Sequence, residues 1–283
     1  MDKELKTTYK SFAYSISNSI MTIELNRDKE FNSLNWQLVY DIYDIFTSLN
    51  DPSCEDIRAV VMFSTGKHFS SGLDLKQTAA ELFSLIKDDS LDSARVAYKL
   101  RYFIRRMQKA TQAIEKCKVP VITVVNGFCI GGAIDIISAC DIIISTNDTI
   151  FSIREVKVGL AADLGTLNRL SISNSNFSLL KELALTGRFF GPEEASKIGL
   201  VYNCYENKNI ALDKAKGIAK EIAMNSPIAV YGTKKGLNMF RNKEVSKGLK
   251  TFVDHNAAFL QTDDLMTSVQ AIMTKTEPKF PKL

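Results

Sequence analysis

The sequence predicts an α/β protein of repeated ββα-like units followed by a helical C-terminal region. Three observations carry this. Short apolar runs alternate with helical patterns as far as Val201, two of those runs end in glycine turns, and beyond them only helical periodicity remains. The division near residue 205 gives a core at 1–205 and a helical subdomain at 206–283.

Residues 12–17 and 20–25 alternate apolar and polar positions around Asn18-Ser19, which is a hairpin pattern. Asn35 is a candidate N-cap for a helix whose inner face carries Leu38, Val39, Ile42, Ile45 and Phe46, and Asp51-Pro52 stops it. A buried-type strand at 59–63 leads into the loop Thr65–Leu75. From Arg95 to Cys117, the residues Val96, Leu100, Phe103, Met107, Ala110, Ile114 and Cys117 recur at helical spacing. The opposite face bears Arg95, Lys99, Arg101, Arg105, Arg106 and Lys109, the pattern of a solvated basic surface. Further strands are expected at 120–125, 141–145 and about 200–203. In the last segment Ala211–Met224, Ala229–Phe240, Val245–Phe259 and Leu265–Thr274 read as four helices.

Composition narrows the function classes. With 45% hydrophobic and 24% charged residues the chain is ordinary for a globular protein, and no apolar run approaches the ~20 residues of a membrane span. A net charge of +4 is too small to argue for nucleic acid but suits an anionic ligand. The five cysteines form no C-x-x-C pair and read as reduced, buried thiols. The N-terminus has neither the apolar centre of a signal peptide nor the arginines of a mitochondrial presequence. The chain ends Pro-Lys-Leu, one residue from the Ser-Lys-Leu peroxisomal address, so a peroxisomal location is expected, with the mitochondrion as alternative.

Common catalytic signatures are missing: there is no G-x-S-x-G elbow, no Walker A loop and no H-E-x-x-H. The two histidines, His68 and His255, carry no motif, so no metal or redox cofactor is expected and acid–base work falls to carboxylates. Two glycine turns each follow an apolar strand, Phe69-Ser70-Ser71-Gly72-Leu73-Asp74-Leu75 and Gly127-Phe128-Cys129-Ile130-Gly131-Gly132. Such turns leave backbone N–H groups free to face a ligand. Asp135, Glu155 and Asp163 stand nearby in otherwise apolar sequence. Amides beside acids that can carry protons suit enolate chemistry on a carbonyl compound. Taken singly, Asp135 would complement a helix dipole and Asp163 would cap a helix from Leu164.

These spaced motifs, together with the opening hairpin, Asn32-Ser33-Leu34, Lys118-Val119-Pro120 and Gly187-Arg188, resemble the crotonase (enoyl-CoA hydratase/isomerase) superfamily from about residue 12 to about residue 262. The resemblance implies a spiral of ββα turns, a C-terminal helical region that makes trimers or a dimer of trimers, and a coenzyme A thioester as substrate rather than a separate cofactor. It places the oxyanion-hole amides at Leu73 and Gly132. The substrate wall is expected at Ser71, Gly72, Asp74 and Gly131, with Asp74 and Asp141 as structural acids at loop and strand ends.

Hydratases of this family hold one water between two glutamates. Here Glu155 matches the second, Asp135 replaces the first, and Asp163 is additional. That triple is similar to the branch of the family that turns 3,5-dienoyl-CoA into 2,4-dienoyl-CoA. Removing a proton from C2 spreads negative charge to C6, beyond the reach of a base fixed at C2, so one carboxylate is needed at each end. The expectation is Asp163 at C2, Glu155 at C6 and Asp135 tuning the pair, with both proton carriers raised in pKa by an apolar pocket. Two other readings stand beside it. One is hydration of a 2-enoyl-CoA by Asp135 and Glu155, and the other is a non-catalytic, RNA-binding role for the basic 95–109 face.

Overall fold

The computed structural model describes residues 8–74, 76–87, 90–172 and 176–278. The chain opens with a hairpin, β1 (Phe12–Ser17) and β2 (Ile20–Leu25), whose turn residues Asn18 and Ser19 take φ of 51° and 62°. Both values belong to the tight turn that matches strand twist. Next comes α1 (Trp36–Ser48), with the Asn35 side chain accepting from the Leu38 amide at 3.0 Å, as its sequence position predicts. Then follow β3 (Ala59–Ser64), α2 (Thr78–Ile86), α3 (Ser93–Lys116), β4 (Val121–Val125), β5 (Phe128–Ile130) and α4 (Gly132–Ser138). The chain continues through β6 (Ile142–Thr146), β7 (Ile150–Ser152), α5 (Thr166–Ile172), α6 (Phe177–Thr186), α7 (Pro192–Lys197) and β8 (Asn203–Tyr205). It closes with α8 (Lys208–Met224), α9 (Pro227–Phe259) and α10 (Asp263–Thr274).

One sheet runs β1-β2-β3-β4-β6-β8, antiparallel only at the hairpin, while β5 and β7 pair separately in parallel. Side-chain alternation decides the layers. Val60, Met62, Val121 and Val125 point into the main core with α1 and α3, whereas Ala59, Val61, Ile122, Val124 and Ile144 face α8. That helix meets them with Ala211, Ala215 and Ala219, a four-residue spacing of small side chains that lets it lie close.

The sequence pattern erred in identifiable places. The last strand is Asn203–Tyr205, because Leu200 and Val201 are apolar through burial in the main core and not through strand pairing. The two helices expected at 229–240 and 245–259 are the single α9, since the intervening Arg241-Asn242-Lys243-Glu244 holds neither glycine nor proline to end a helix. Strands β5 and β7 have three residues each, too few to show a period. The C-terminal Pro-Lys-Leu lies outside the described residues.

Candidate active site

Both glycine turns arrive at one place. The parallel bridges Leu34↔Leu73 and Ser70↔Cys129 lay the 70–73 segment beside β5. Leu34 donates to the Gly72 carbonyl at 2.7 Å and accepts from Asp74 at 3.1 Å, so the Leu73 amide between them points away from that ladder. Gly131 donates to the Ser152 carbonyl at 2.8 Å, and Gly132 then begins α4, where the first N–H of a helix has no internal partner. Among the described residues neither the Leu73 nor the Gly132 amide has a protein acceptor.

Close approach requires glycine at two of these positions. Gly72 has φ of 87°, and a Cβ there would collide with the Ile130 carbonyl while standing 3.6 Å from the Gly132 nitrogen. The two free amides therefore belong to adjoining segments. Gly131 has φ of 55°, and a Cβ there would sit 3.2 Å from Glu155 Oε1. The Glu155 carboxylate thus lies against the backbone that presents the Gly132 amide.

The three acids sit at the ends of different elements. Asp135 in α4 is buried, and its Oδ1 accepts the amide and hydroxyl of Thr166, both at 2.7 Å. It is therefore Asp135 that serves the first turn of α5. Glu155 opens the 3-10 turn Glu155–Val158 and is 9% exposed, and its Oε2 has no donor among the described residues. Asp163 is half-buried on the loop before α5, where its Oδ2 accepts from Asn256 Nδ2 of α9 at 2.7 Å.

Burial raises all three above the ordinary carboxylate range. Asp135 is pushed up to about 6, against the opposing pull of Thr166 and Arg169. Asp163 is pushed up to about 7 by burial, against its Asn256 hydrogen bond and with the like charge of Asp135 adding to the rise. Glu155 is pushed well above the carboxylate range by burial first and then by the charges of Asp135 and Asp163. The arrangement favours the protonated form of Glu155 and brings Asp163 close to its midpoint near neutral pH.

The other expected residues of the 71–74 turn are held by neighbouring groups. Ser71 donates its amide to the Phe31 carbonyl at 3.0 Å. The Asp74 carboxylate is directed into the protein, towards Ser33 Oγ at 3.1 Å, the Lys76 and Gln77 amides at 3.1 Å, and Arg27 at 3.5 Å. Burial works upward on Asp74, but these donors together hold it below its usual value. Asp141 Oδ2 joins the Val121 amide to Lys234 Nζ of α9, each at 2.7 Å, far from this chemistry in role. His68 Nδ1 accepts from the Phe128 amide at 3.1 Å and the ring stacks on Phe128 at 4.3 Å, which occupies it structurally. Among the described residues no group of three His, Cys, Asp or Glu side chains has metal-binding geometry.

Several contributors escaped the sequence pattern. One face of α3 presents Gln108, Thr111 and Glu115, all buried. Gln108 donates to the Asp163 carbonyl at 2.7 Å, Thr111 donates to the Leu164 carbonyl at 2.9 Å, and Glu115 pairs with the buried Arg169 at 3.2 Å. Arg169 also donates to the Leu164 carbonyl at 3.2 Å. The available signal was polar residues at helical spacing beside an apolar stripe, and likewise Asn256 between Val253, Ala257 and Leu260.

The chain is 40% identical over 272 residues to the mitochondrial Δ3,5-Δ2,4-dienoyl-CoA isomerase of Rattus norvegicus, covering 95% of this chain and 82% of the relative. It is 36% identical over 283 residues to the peroxisomal Δ3,5-Δ2,4-dienoyl-CoA isomerase of Arabidopsis thaliana, covering 100% of each. In fold it resembles the crystal structure of an enoyl-CoA hydratase/isomerase from Pseudoalteromonas atlantica T6c, with a TM-score of 0.81 at 24% identity over 96% of this chain and 100% of that one. The profile of the enoyl-CoA hydratase/isomerase family matches residues 15–282, nearly the whole chain, and the chain belongs to that family.

Proposed function

We propose that this protein converts 3,5-dienoyl-CoA esters to 2,4-dienoyl-CoA esters in fatty-acid β-oxidation. The Leu73 and Gly132 amides receive the thioester oxygen, the Asp163 carboxylate takes a proton from C2, and the electrons of that C–H bond enter the enolate. Charge spreads through C4 to C6, where the Glu155 carboxyl delivers its proton and the double bonds come to rest at C2 and C4. Each amide stabilises the developing oxyanion by about 2.7–4 kcal/mol, the usual cost of deleting such a donor. Ser71, Gly72, Asp74 and Gly131 form the wall beside the thioester, and Asp135 sets the electrostatics between the two proton carriers.

The observation that carries this reading is the unequal pair of acids, with Glu155 Oε2 buried without a donor among the described residues and Asp163 Oδ2 beside one. Hydration by Asp135 and Glu155 would leave only Asp135 Oδ2 to hold water, because Oδ1 accepts both the amide and the hydroxyl of Thr166. The name of the rat relative supports isomerisation in the same sense. Trimers formed through 206–283 belong to the same proposal, as does a peroxisomal address; the Arabidopsis thaliana relative is named as peroxisomal and the rat one as mitochondrial.

An ultraviolet assay on a 3,5-dienoyl-CoA tests the proposal, because the 2,4-dienoyl product is conjugated with the thioester whereas hydration of an enoyl-CoA removes a chromophore. Asp163→Asn and Glu155→Gln should each lower kcat by about 100-fold or more, in line with loss of a positioned acid or base. Near-normal turnover in either variant would remove that residue from its step.

A further inference from the structure

The geometry points to Asn256 as a positioning residue that decides which of the two buried acids is the base, by donating to Asp163 and to no other carboxylate. This rests on the dienoyl isomerisation proposed above and adds the side chain that makes Asp163, rather than Glu155, the base.

Asn256 is only 2% exposed, on the face of α9 that carries Val253, Ala257 and Leu260 into the core. A buried amide in an apolar stripe is costly unless both hydrogens are used. Its Nδ2 donates to the Ala161 carbonyl at 2.9 Å and to Asp163 Oδ2 at 2.7 Å. The Ala161 carbonyl can only accept, so it fixes the amide with its NH2 group, and not its oxygen, towards the loop. Asp163 therefore faces a donor that no pH removes. Such a donor favours the ionised carboxylate.

Among the described residues no other side chain supplies this bias. Asp135 of α4 and Glu155 of the 3-10 turn interact with Asp163 through charge, Gln108 of α3 binds its main-chain carbonyl, and Arg169 of α5, paired with Glu115 of α3, binds the carbonyl of the next residue. The charge of Asp135 raises the cost of a charge on Asp163, while a protonated Glu155 adds none. Gln108 donates to the Asp163 main-chain carbonyl at 2.7 Å and to the Leu249 carbonyl of α9 at 3.2 Å, so it holds the loop to α9 without touching the carboxylate. Arg169 is spent on Glu115 and on the Leu164 carbonyl. Glu155 Oε2 has no donor among the described residues. Without Asn256 both acids would be buried carboxyls competing for the same proton. With it, Asp163 gives up its proton first and Glu155 keeps one for C6.

The test is the pH profile of kcat/KM for a 3,5-dienoyl-CoA, measured for the full-length wild type and for Asn256→Leu and Asn256→Asp. The first variant deletes the donor, and the second keeps the shape of the side chain in case the first fails to fold. In the wild type, activity should rise as Asp163 ionises through about pH 7. In both variants that rising limb should move to higher pH by about one unit or more, the scale of a lost hydrogen bond to a charged group. Activity lost near neutral pH should then return in alkaline buffer. A uniform drop with the limb unmoved, or an unchanged profile, would overturn the role of Asn256 while leaving the isomerisation intact. Absence of wild-type conversion would instead remove the proposed reaction itself.

Discussion

At the scale of single residues, three carboxylates within one chain segment have three different environments. Asp135 has two donors, Asp163 has one, and Glu155 Oε2 has none among the described residues. Burial raises the proton affinity of all three, and the donors on Asp135 and Asp163 act against that rise. This affects stability as well as chemistry. A carboxyl whose folded pKa is raised binds its proton more tightly folded than unfolded, so its burial costs nothing below the unfolded value of about 4.3 and increasingly more as pH rises above it. Glu155→Gln, always neutral, should therefore melt at a higher temperature than the wild type at pH 8, with the gap closing towards pH 4. Each kcal/mol recovered is worth about 2–4 °C in a chain of this size. Equal melting temperatures across that range would mean that Glu155 is not held in a desolvating site. The identities of these acids were legible in the sequence, but their donors were not, because Thr166 and Asn256 are separated from them by 31 and 93 positions.

At the scale of elements, the site is a junction of strand ends and helix starts. The Phe69–Leu73 turn and the Gly131–Gly132 step carry no catalytic side chain, yet they set where the two amides point. Their glycines were readable as turn residues, while the parallel β5–β7 pair that holds them was not. Gly131→Ala is the sharpest probe of this junction. It forces a Cβ onto a backbone with φ of 55° and into Glu155 Oε1. The strain alone is on the order of 1–3 kcal/mol, and kcat should fall by at least about tenfold, with KM for the CoA ester changing less, because the amides matter most to the oxyanion. A variant that keeps kcat and loses only affinity would show that this step binds substrate without stabilising the transition state.

At the scale of the whole molecule, two features stand out. Helix α9 runs past the site, delivering Asn256 to Asp163 at one end and Lys234 to Asp141 at the other. It also exposes apolar side chains away from the core: Ile228 is 80% exposed, Leu237 73% and Met239 63%. An isolated chain gains nothing from such exposure. The proposed trimer would cover it, and sedimentation equilibrium should return the mass of three or six copies of the 31.6 kDa chain. A single-chain mass at micromolar concentration would exclude assembly through 206–283. The layered α/β core was legible because strand alternation and helical spacing are local. The covering of the acids by α3 and α9 was not, since polar residues such as Gln108 look like surface until the partner loop is in place.

The account rests on two acids working at opposite ends of one conjugated chain, and isotope transfer tests that directly. A 3,5-dienoyl-CoA carrying deuterium at both C2 positions should be converted in ordinary water to a 2,4-dienoyl-CoA that keeps one deuterium at C2 and has gained protium at C6. Asp163 would carry the removed deuteron away while Glu155 supplies a proton from its own exchangeable pool. Deuterium found at C6 would mean that one group carries the same hydrogen from end to end, and would contradict the account.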